Sequence, residues 1–157
     1  MERYFNSLLI VFILSGTTFF AQDQSRKGRD SKRNVDQFKV TAYPVVTEGD
    51  NIRLLVYGLI PYQSLQFIKD EGGFSAGYET SLGIRDKDGN QIDRNIFQSN
   101  VSVGDYVSTI NRSAREIVMA EFIVKATEYT VVGELIDADT RLKGIVREKI
   151  DMTGLLQ

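Results

Sequence analysis

The sequence contains no histidine and no cysteine, and these absences remove the side chains that most enzymes and metal sites use. Histidine is the commonest general base and metal ligand, and cysteine supplies a thiolate that acts as nucleophile or zinc ligand. We expect the remaining polar side chains to form no Gly-x-Ser-x-Gly elbow, no phosphate-binding loop and no Ser-x-x-Lys motif, and therefore no catalytic motif. Enzymes that use only paired carboxylates are the one class that these absences leave possible. We expect no catalytic residue, no metal, no cofactor and no enzyme activity.

Tryptophan and a surplus of positive charge are missing as well. Tryptophan offers the largest face for stacking on a sugar ring, so its absence weakens the case for a carbohydrate site. The formal net charge is −2, whereas phosphate binding needs a basic surplus on one face. We therefore expect no nucleic-acid partner.

The N-terminus has the pattern of a secretory signal peptide. Arg3 precedes an apolar run that starts at Leu8 and ends near Ala21, before a polar stretch. Small and hydroxyl residues interrupt the run, so it falls short of the ~20 residues that span a membrane, and an N-terminal anchor is the weaker alternative. Lipid attachment is excluded there because it needs a cysteine. We predict a signal peptide over residues 1–21, cleavage before Gln22, and a secreted or periplasmic protein that meets the membrane only during export.

Residues 22–34 are polar and predict a flexible linker. Their basic side chains alternate with aspartates and serines without apolar periodicity, which favours a solvated tether over a contact with anionic lipid or polysaccharide. These basic residues are Arg26, Lys27, Arg29, Lys32 and Arg33. Residues 35–157 have the length of one domain and can bury a core without disulfides.

From residue 35 onward, hydrophobicity repeats every two residues, which is the period of a β-strand. The clearest run is 74–85. The same pattern predicts strands over residues 37–45, 51–60, 91–97, 106–112, 116–125, 129–137 and 141–152, with a shorter one over 64–69. About eight short strands separated by turn residues predict an all-β, immunoglobulin-like antiparallel β-sandwich.

The segment Asp86-Lys87-Asp88-Gly89-Asn90 predicts a tight hairpin in which the glycine takes a positive φ. Together with Asp93 it also suggests a calcium loop. A helix-loop-helix calcium site, however, has its glycine at the sixth position, whereas here glycine falls fourth and strands flank the loop. We therefore interpret the segment as a turn.

Several aromatic residues lie in the inward phase of their strands. We predict that Tyr78, Leu82 and Phe122 are buried and that Glu79 lies on the opposite face of its strand. Tyr129, at the start of a late strand, suggests the tyrosine corner of immunoglobulin-like sandwiches, with an ordinary core tyrosine as the alternative.

Tyr62 and Phe67 lie beside Pro61 in an irregular stretch. Neither fits the inward phase of a strong alternating run, so we predict that they form an exposed apolar contact with a partner.

Residues 60–67 read Ile-Pro-Tyr-Gln-Ser-Leu-Gln-Phe, residues 72–79 read Gly-Gly-Phe-Ser-Ala-Gly-Tyr-Glu, and residues 86–89 read Asp-Lys-Asp-Gly. Together these stretches resemble the β-rich N-terminal part of GWxTD-domain proteins, which Bacteroidetes-like bacteria export. The resemblance covers roughly residues 35–152. The Gly-Trp-x-Thr-Asp motif belongs to a later domain of that family and is absent here, since the chain has no tryptophan. The resemblance implies an exported β-rich protein, and it implies no activity, cofactor or catalytic residue.

Two classes of function fit these observations. The first is a structural or protein-interaction module of the cell envelope, which contacts an envelope protein through an exposed edge or loop. The second is a sandwich that binds carbohydrate or another small ligand. A long unprotected edge strand beside an apolar patch would favour the first, and a pocket rimmed by exposed tyrosines would favour the second.

Overall fold

The computed structural model describes residues 37–47 and 49–156. The predicted signal peptide (residues 1–21) and linker (residues 22–34) lie outside these residues. The described residues form eight strands, one 3-10 turn and one short helix. The strands are β1 (Lys39–Val46), β2 (Asn51–Pro61), β3 (Ile68–Asp70), β4 (Gly73–Arg85), β5 (Gln91–Val103), β6 (Arg115–Lys125), β7 (Glu128–Asp137) and β8 (Lys143–Asp151). The 3-10 turn spans Tyr62–Ser64 and helix α1 spans Tyr106–Thr109.

The strands form two antiparallel sheets. Sheet A has the order β1-β2-β6. Sheet B has the order β5-β4-β7-β8, and the short strand β3 pairs with the beginning of β4. The sheets lie face to face, with β1 near β7 and β8, β2 near β4, and β6 near β5. This architecture confirms the predicted immunoglobulin-like sandwich of about eight strands.

The core lies between the sheets and follows the predicted alternation. Tyr78 and Leu82 on β4 and Phe122 on β6 are all at most 4% exposed, which confirms their predicted burial. Glu79 lies in the opposite phase of β4 and is only partly covered, where it accepts a hydrogen bond from Gln98 Nε2 at 2.8 Å. The period-two pattern therefore assigned the two faces of β4 correctly.

Phe38 fills a space that two glycines on facing strands leave open. Gly58 on β2 and Gly133 on β7 both point into the core. A Cβ atom on Gly58 would lie 3.3 Å from Phe38 Cε2, and one on Gly133 would lie 2.9 Å from Phe38 Cε1 and overlap Val40 Cγ2. The close approach of β1 to β7 therefore depends on the missing side chain at residue 133.

The predicted hairpin joins β4 to β5. Gly89 has a φ of +86°, and the Asp86 carboxylate accepts hydrogen bonds from Asp88 N at 2.9 Å and from Asn90 N at 2.8 Å. The Asn90 side chain donates a further bond to Asp86 Oδ2 at 3.0 Å. These bonds, the one from the Asn90 side chain first, lower the pKa of Asp86. The turn itself therefore uses both oxygens of this carboxylate.

The strand predicted over residues 106–112 is wrong. Strand β5 instead continues to Val103, and the chain then forms helix α1. The side chain of Asp105 accepts hydrogen bonds from Ser108 N at 2.8 Å and from Ser108 Oγ at 3.1 Å, which caps the helix. This cap outweighs the β-propensity of the branched residues that follow it.

Two smaller predictions also need correction. The strand predicted over residues 64–69 begins only at Ile68, because Leu65 N bonds to Tyr62 O at 3.0 Å and closes a 3-10 turn. Tyr129 is buried at the start of β7, and its hydroxyl forms no hydrogen bond with any described residue. The alternative of a core tyrosine therefore describes this position.

Candidate interaction surface

Tyr62 and Phe67, the predicted partner contact, pack against each other at one end of the sandwich. Their ring centroids are 5.4 Å apart, with the planes tilted by 50°, and both rings are half-buried against the core. The Tyr62 hydroxyl donates a hydrogen bond to Glu116 Oε1 at 3.1 Å. Burial, and after it this bond, raises the pKa of Tyr62. The pair covers the end of the core, and a partner contact there stays a prediction.

The segment that carries Phe67 is fastened to the turn between β7 and β8 by Asp137. This carboxylate is 2% exposed. Its Oδ2 accepts a hydrogen bond from Gln66 N at 2.7 Å, and its Oδ1 accepts bonds from Thr140 N and Thr140 Oγ1, each at 2.7 Å. Three hydrogen bonds satisfy the oxygens of this buried side chain, so Asp137 acts as a structural anchor.

A larger apolar surface lies on the outer face of sheet A, which is turned away from sheet B. Residues of β2 alternate between the core and this outer face. Eight apolar side chains share the outer face: Tyr43 and Val45 on β1, Leu55, Tyr57 and Leu59 on β2, and Ile117, Met119 and Ile123 on β6. We call this set the apolar face. Its members on the two outer strands are well exposed, with Tyr43 at 56%, Ile117 at 61% and Ile123 at 60%.

The strand register brings these side chains together across the sheet. Tyr57 lies between Thr41 on β1 and Met119 on β6. The ring of Tyr43 meets the ring of Tyr57 edge-on, with centroids 5.9 Å apart and an interplanar angle of 71°. Three strands of about nine residues give a face of about 14 Å by 30 Å, or roughly 400 Å² in plan. This area includes the side chains of Thr41, Arg53 and Glu121, so the apolar part is smaller; the largest apolar patch on a monomer is often functional.

One ion pair lies within the apolar face. Arg53 Nε is 3.1 Å from Glu121 Oε1, and the two side chains are 44% and 40% exposed. Such an exposed pair contributes at most about 1 kcal/mol to stability. The pair places one positive and one negative side chain among apolar neighbours, and such a mixture is typical of the rim of a protein interface.

The outer face of sheet B has a different character. Glu134 on β7 contacts both Arg94 Nη2 at 3.1 Å and Lys143 Nζ at 3.0 Å. Ile96 on β5 is 58% exposed and lies opposite Ser81, in a strand whose other outward residues are mainly polar. The two outer faces therefore differ: that of sheet A is mainly apolar with one ion pair, whereas that of sheet B is mainly polar and carries two ion pairs to Glu134.

A shallow depression on the outer face of sheet B has a volume of about 30 Å³. Its lining includes Gly83, Gln91 and Val132 and contains no tyrosine. Pockets for small ligands measure roughly 300–1,000 Å³. This depression has room for a water molecule and is too small for a sugar ring.

The sequence does contain one Gly-x-Ser-x-Gly pattern, at residues 73–77, and the expectation that no catalytic motif is present needs correction on this point. In hydrolases this pattern forms a sharp turn from a strand into a helix, with the serine exposed at the turn. Here Ser75 lies inside β4, opposite Ile68 on one side and Ser102 on the other, and β4 continues to Arg85. The strand therefore does not present Ser75 as a nucleophile.

One sequence feature does indicate the apolar face: strand β6 is apolar in both phases, so it does not show the usual alternation of apolar and polar residues. Strand β6 reads Ile117-Val118-Met119 and then Phe122-Ile123-Val124, so both phases of the strand are apolar. Strands of this kind are typically covered on both faces. In the structure only one face of β6 is covered by described residues, and the second phase is exposed.

Among the described residues, no group of three or more histidine, cysteine, aspartate or glutamate side chains is placed to hold a metal ion. No helix in the described part of the chain is long and apolar enough to cross a membrane.

No family model matches the chain, and no curated protein matches it. Among solved structures, a Bacteroides fragilis protein assigned as a β-galactosidase is similar at 14% identity and a TM-score of 0.49, over 71% of this chain and 16% of that one. A Bacteroides uniformis β-glucuronidase is similar at 15% identity and a TM-score of 0.48, over 73% of this chain and 13% of that one. An Archaeoglobus fulgidus protein is similar at 7% identity and a TM-score of 0.32, over 71% of this chain and 92% of that one. The chain thus spans less than a fifth of the length of the two glycosidases.

Proposed function

We propose that this chain is an exported, non-catalytic β-sandwich module of the bacterial cell envelope, which binds a partner protein through the apolar face of sheet A. The main observation behind the proposal is that the apolar side chains on the outer face of sheet A are contiguous. Single exposed apolar residues are ordinary, whereas here eight apolar side chains, five of them exposed and three partly covered, share one face that no described element covers.

The shape and composition of the apolar face favour a protein over a small ligand. The surface is the outer face of an open three-stranded sheet, and Tyr43, Tyr57 and Met119 are of the residue types that protein interfaces favour. A small ligand would need a concave site that encloses most of its surface. The apolar face extends onto β6, which is a long edge strand. A long unprotected edge strand together with an apolar patch is the feature expected of an interaction module.

A pair of matched lysine substitutions tests the partner contact. Tyr43→Lys places a charge on the apolar face, whereas Ile96→Lys places the same charge on the outer face of sheet B at nearly equal exposure, 56% against 58%. In cross-linked envelope fractions, we expect Tyr43→Lys to lower recovery of the partner at least tenfold and Ile96→Lys to leave it unchanged. Equal recovery with both variants would contradict the proposal.

The exported location rests on the signal pattern of residues 1–21 and on the resemblance to an exported family. Mass measurement of the protein purified from its native cells tests it. We expect a chain that begins at Gln22 or within a residue or two of it. A soluble cytoplasmic product that retains residues 1–21 would contradict this part of the proposal.

A further inference from the structure

The free edge of β6 is unusual among the outermost strands of the two sheets. Strand β1 contains Pro44, β5 has a register shift where it pairs with β4 near Arg85, and five of the nine residues of β8 are charged, against four of eleven in β6. Proline, irregular pairing and charge are the usual means by which an edge strand is protected from pairing with another chain. Strand β6 has eleven residues, no proline, continuous register with β2, and no other strand partner among the described residues.

The loop that leads into β6 leaves this edge open. Tyr62 N donates to Ala114 O at 3.1 Å, which extends the pairing of β2 with β6 by one step. Gln63 Nε2 donates to Ile110 O at 3.1 Å. Both bonds join this loop to the segment that follows β2, and no described strand pairs with the outer edge of β6.

We propose that the free edge of β6 pairs with β6 of a second copy of this chain, antiparallel and centred on Val118. In this register Arg115 lies opposite Glu121 of the second copy, and Ile117 lies opposite Met119. By the two-fold symmetry each pairing occurs twice. Opposite charges and apolar side chains placed directly across an antiparallel pair both stabilise it. The inference goes beyond the proposed function, because it requires no partner on the apolar face.

Other antiparallel registers are less complementary. Full overlap of the two strands would place Arg115 opposite Lys125 at both ends. A register centred on Glu121 would place this carboxylate opposite Glu121 of the second copy. Centring on Ile123 would pair Glu121 with Lys125, but over five residues instead of seven. The register centred on Val118 is the longest one that places opposite charges across from each other.

The charges in this register are available for the contact. Glu121 contacts Arg53 through Oε1 at 3.1 Å and remains 40% exposed. Arg115 is exposed and donates its Nε to Ser113 O at 3.2 Å. Pairing would join two copies of sheet A into one six-stranded sheet and unite their apolar faces. Because seven paired residues bury little surface, we expect a weak dimer that forms at about 100 µM.

Charge exchange tests the dimer without disturbing the core. We expect Arg115→Glu and Glu121→Arg each to weaken self-association roughly 10- to 100-fold in sedimentation equilibrium of the exported protein, since each places like charges opposite each other twice. Mixing the two variants should restore a heterodimer of wild-type affinity, because both charge pairs are then opposite again. Restoration would also show that the variants are folded. A wild-type protein that stays monomeric at 500 µM, or a mixture that does not associate, would overturn the proposal.

Lys125→Glu is the matched control for register. It changes a charge on the same strand and face, and we expect it to leave the dimer unchanged, whereas pairing centred on Ile123 would make it disruptive. Since the chain has no cysteine, a spin label at Ile123→Cys measures the register directly. The two labelled positions should be separated along the strands by about 34 Å, and by almost nothing in the competing register. Tyr43→Lys lies on β1 and should not affect the dimer, so failure of this inference and failure of the proposed function are distinguishable.

Discussion

Gly133→Ala is the substitution for which the structure gives the sharpest expectation. A Cβ atom at residue 133 would overlap Val40 Cγ2 and lie 2.9 Å from Phe38 Cε1, whereas carbon atoms prefer roughly 3.5–4.0 Å. Strand β7 is hydrogen-bonded on both sides, to β4 and β8, so its backbone has little freedom to move away. Overpacking of this kind costs about 1–3 kcal/mol of unfolding free energy, and we expect the upper half of that range.

A double-mutant cycle with Val40→Ala isolates the cause. Val40→Ala alone removes two methyl groups from a buried position and should cost about 2 kcal/mol. In the double variant the overlap with Val40 is gone and only the close approach to the Phe38 ring, 2.9 Å from Cε1, remains. The combined cost should therefore be about 2–3 kcal/mol, below the roughly 4–5 kcal/mol expected from adding the two.

Urea unfolding followed by far-ultraviolet circular dichroism measures these free energies in a chain that lacks tryptophan. Gly104→Ala is the control, because a Cβ atom there meets nothing within 4 Å, and it should change stability by less than about 0.5 kcal/mol. Additive costs in the cycle, or a neutral Gly133→Ala, would refute the described packing of β1 on β7.

Three further substitutions test the core and the anchor. Phe122→Ala should lower the unfolding free energy by roughly 3–5 kcal/mol through lost burial and a cavity. Glu79→Ala on the outer face should change it by less than about 0.5 kcal/mol. Equal losses in denaturant melts would contradict the assigned faces of the strands. Asp137→Ala should cost about 1–3 kcal/mol, because it leaves the Gln66 and Thr140 amides without their protein acceptor. Faster amide exchange at Gln66 in this variant would identify the lost bond, and unchanged exchange there would contradict the anchoring role.

Local sequence patterns were sufficient to predict the elements whose structure depends on residues close together in the chain. The alternation of Tyr78 and Leu82 with Glu79 identified both faces of β4, and the turn formers of residues 86–90 identified the hairpin. Both signals are read within a dozen residues, so no knowledge of distant pairing was needed.

The helix at residues 106–109 was missed because two local signals conflict there. Val107, Thr109 and Ile110 have high β-propensity, whereas Asp105 is a favourable N-cap residue. The side chain of Asp105 bonds to Ser108 in the structure, and the cap decides the outcome over so short a segment.

The apolar face could not be located from the sequence because it depends on strand order. Met119 and Tyr57 are far apart in the chain and become neighbours only because β6 pairs with β2. The doubly apolar pattern of β6 suggested coverage on both faces, and no pattern within the strand reveals that one face lacks a cover. Tyr62 and Phe67 were selected for their irregular local context, yet they pack partly into the core.

Site-specific photo-crosslinking in the native cells tests most directly whether the apolar face of sheet A is the partner-binding surface. A benzophenone amino acid would replace Tyr43 on the apolar face in one variant and Ile96 on the outer face of sheet B in the other, two positions of nearly equal exposure. We expect one discrete adduct with an envelope protein from position 43 and none from position 96. An adduct from position 96 alone, or from neither position, would contradict this expectation.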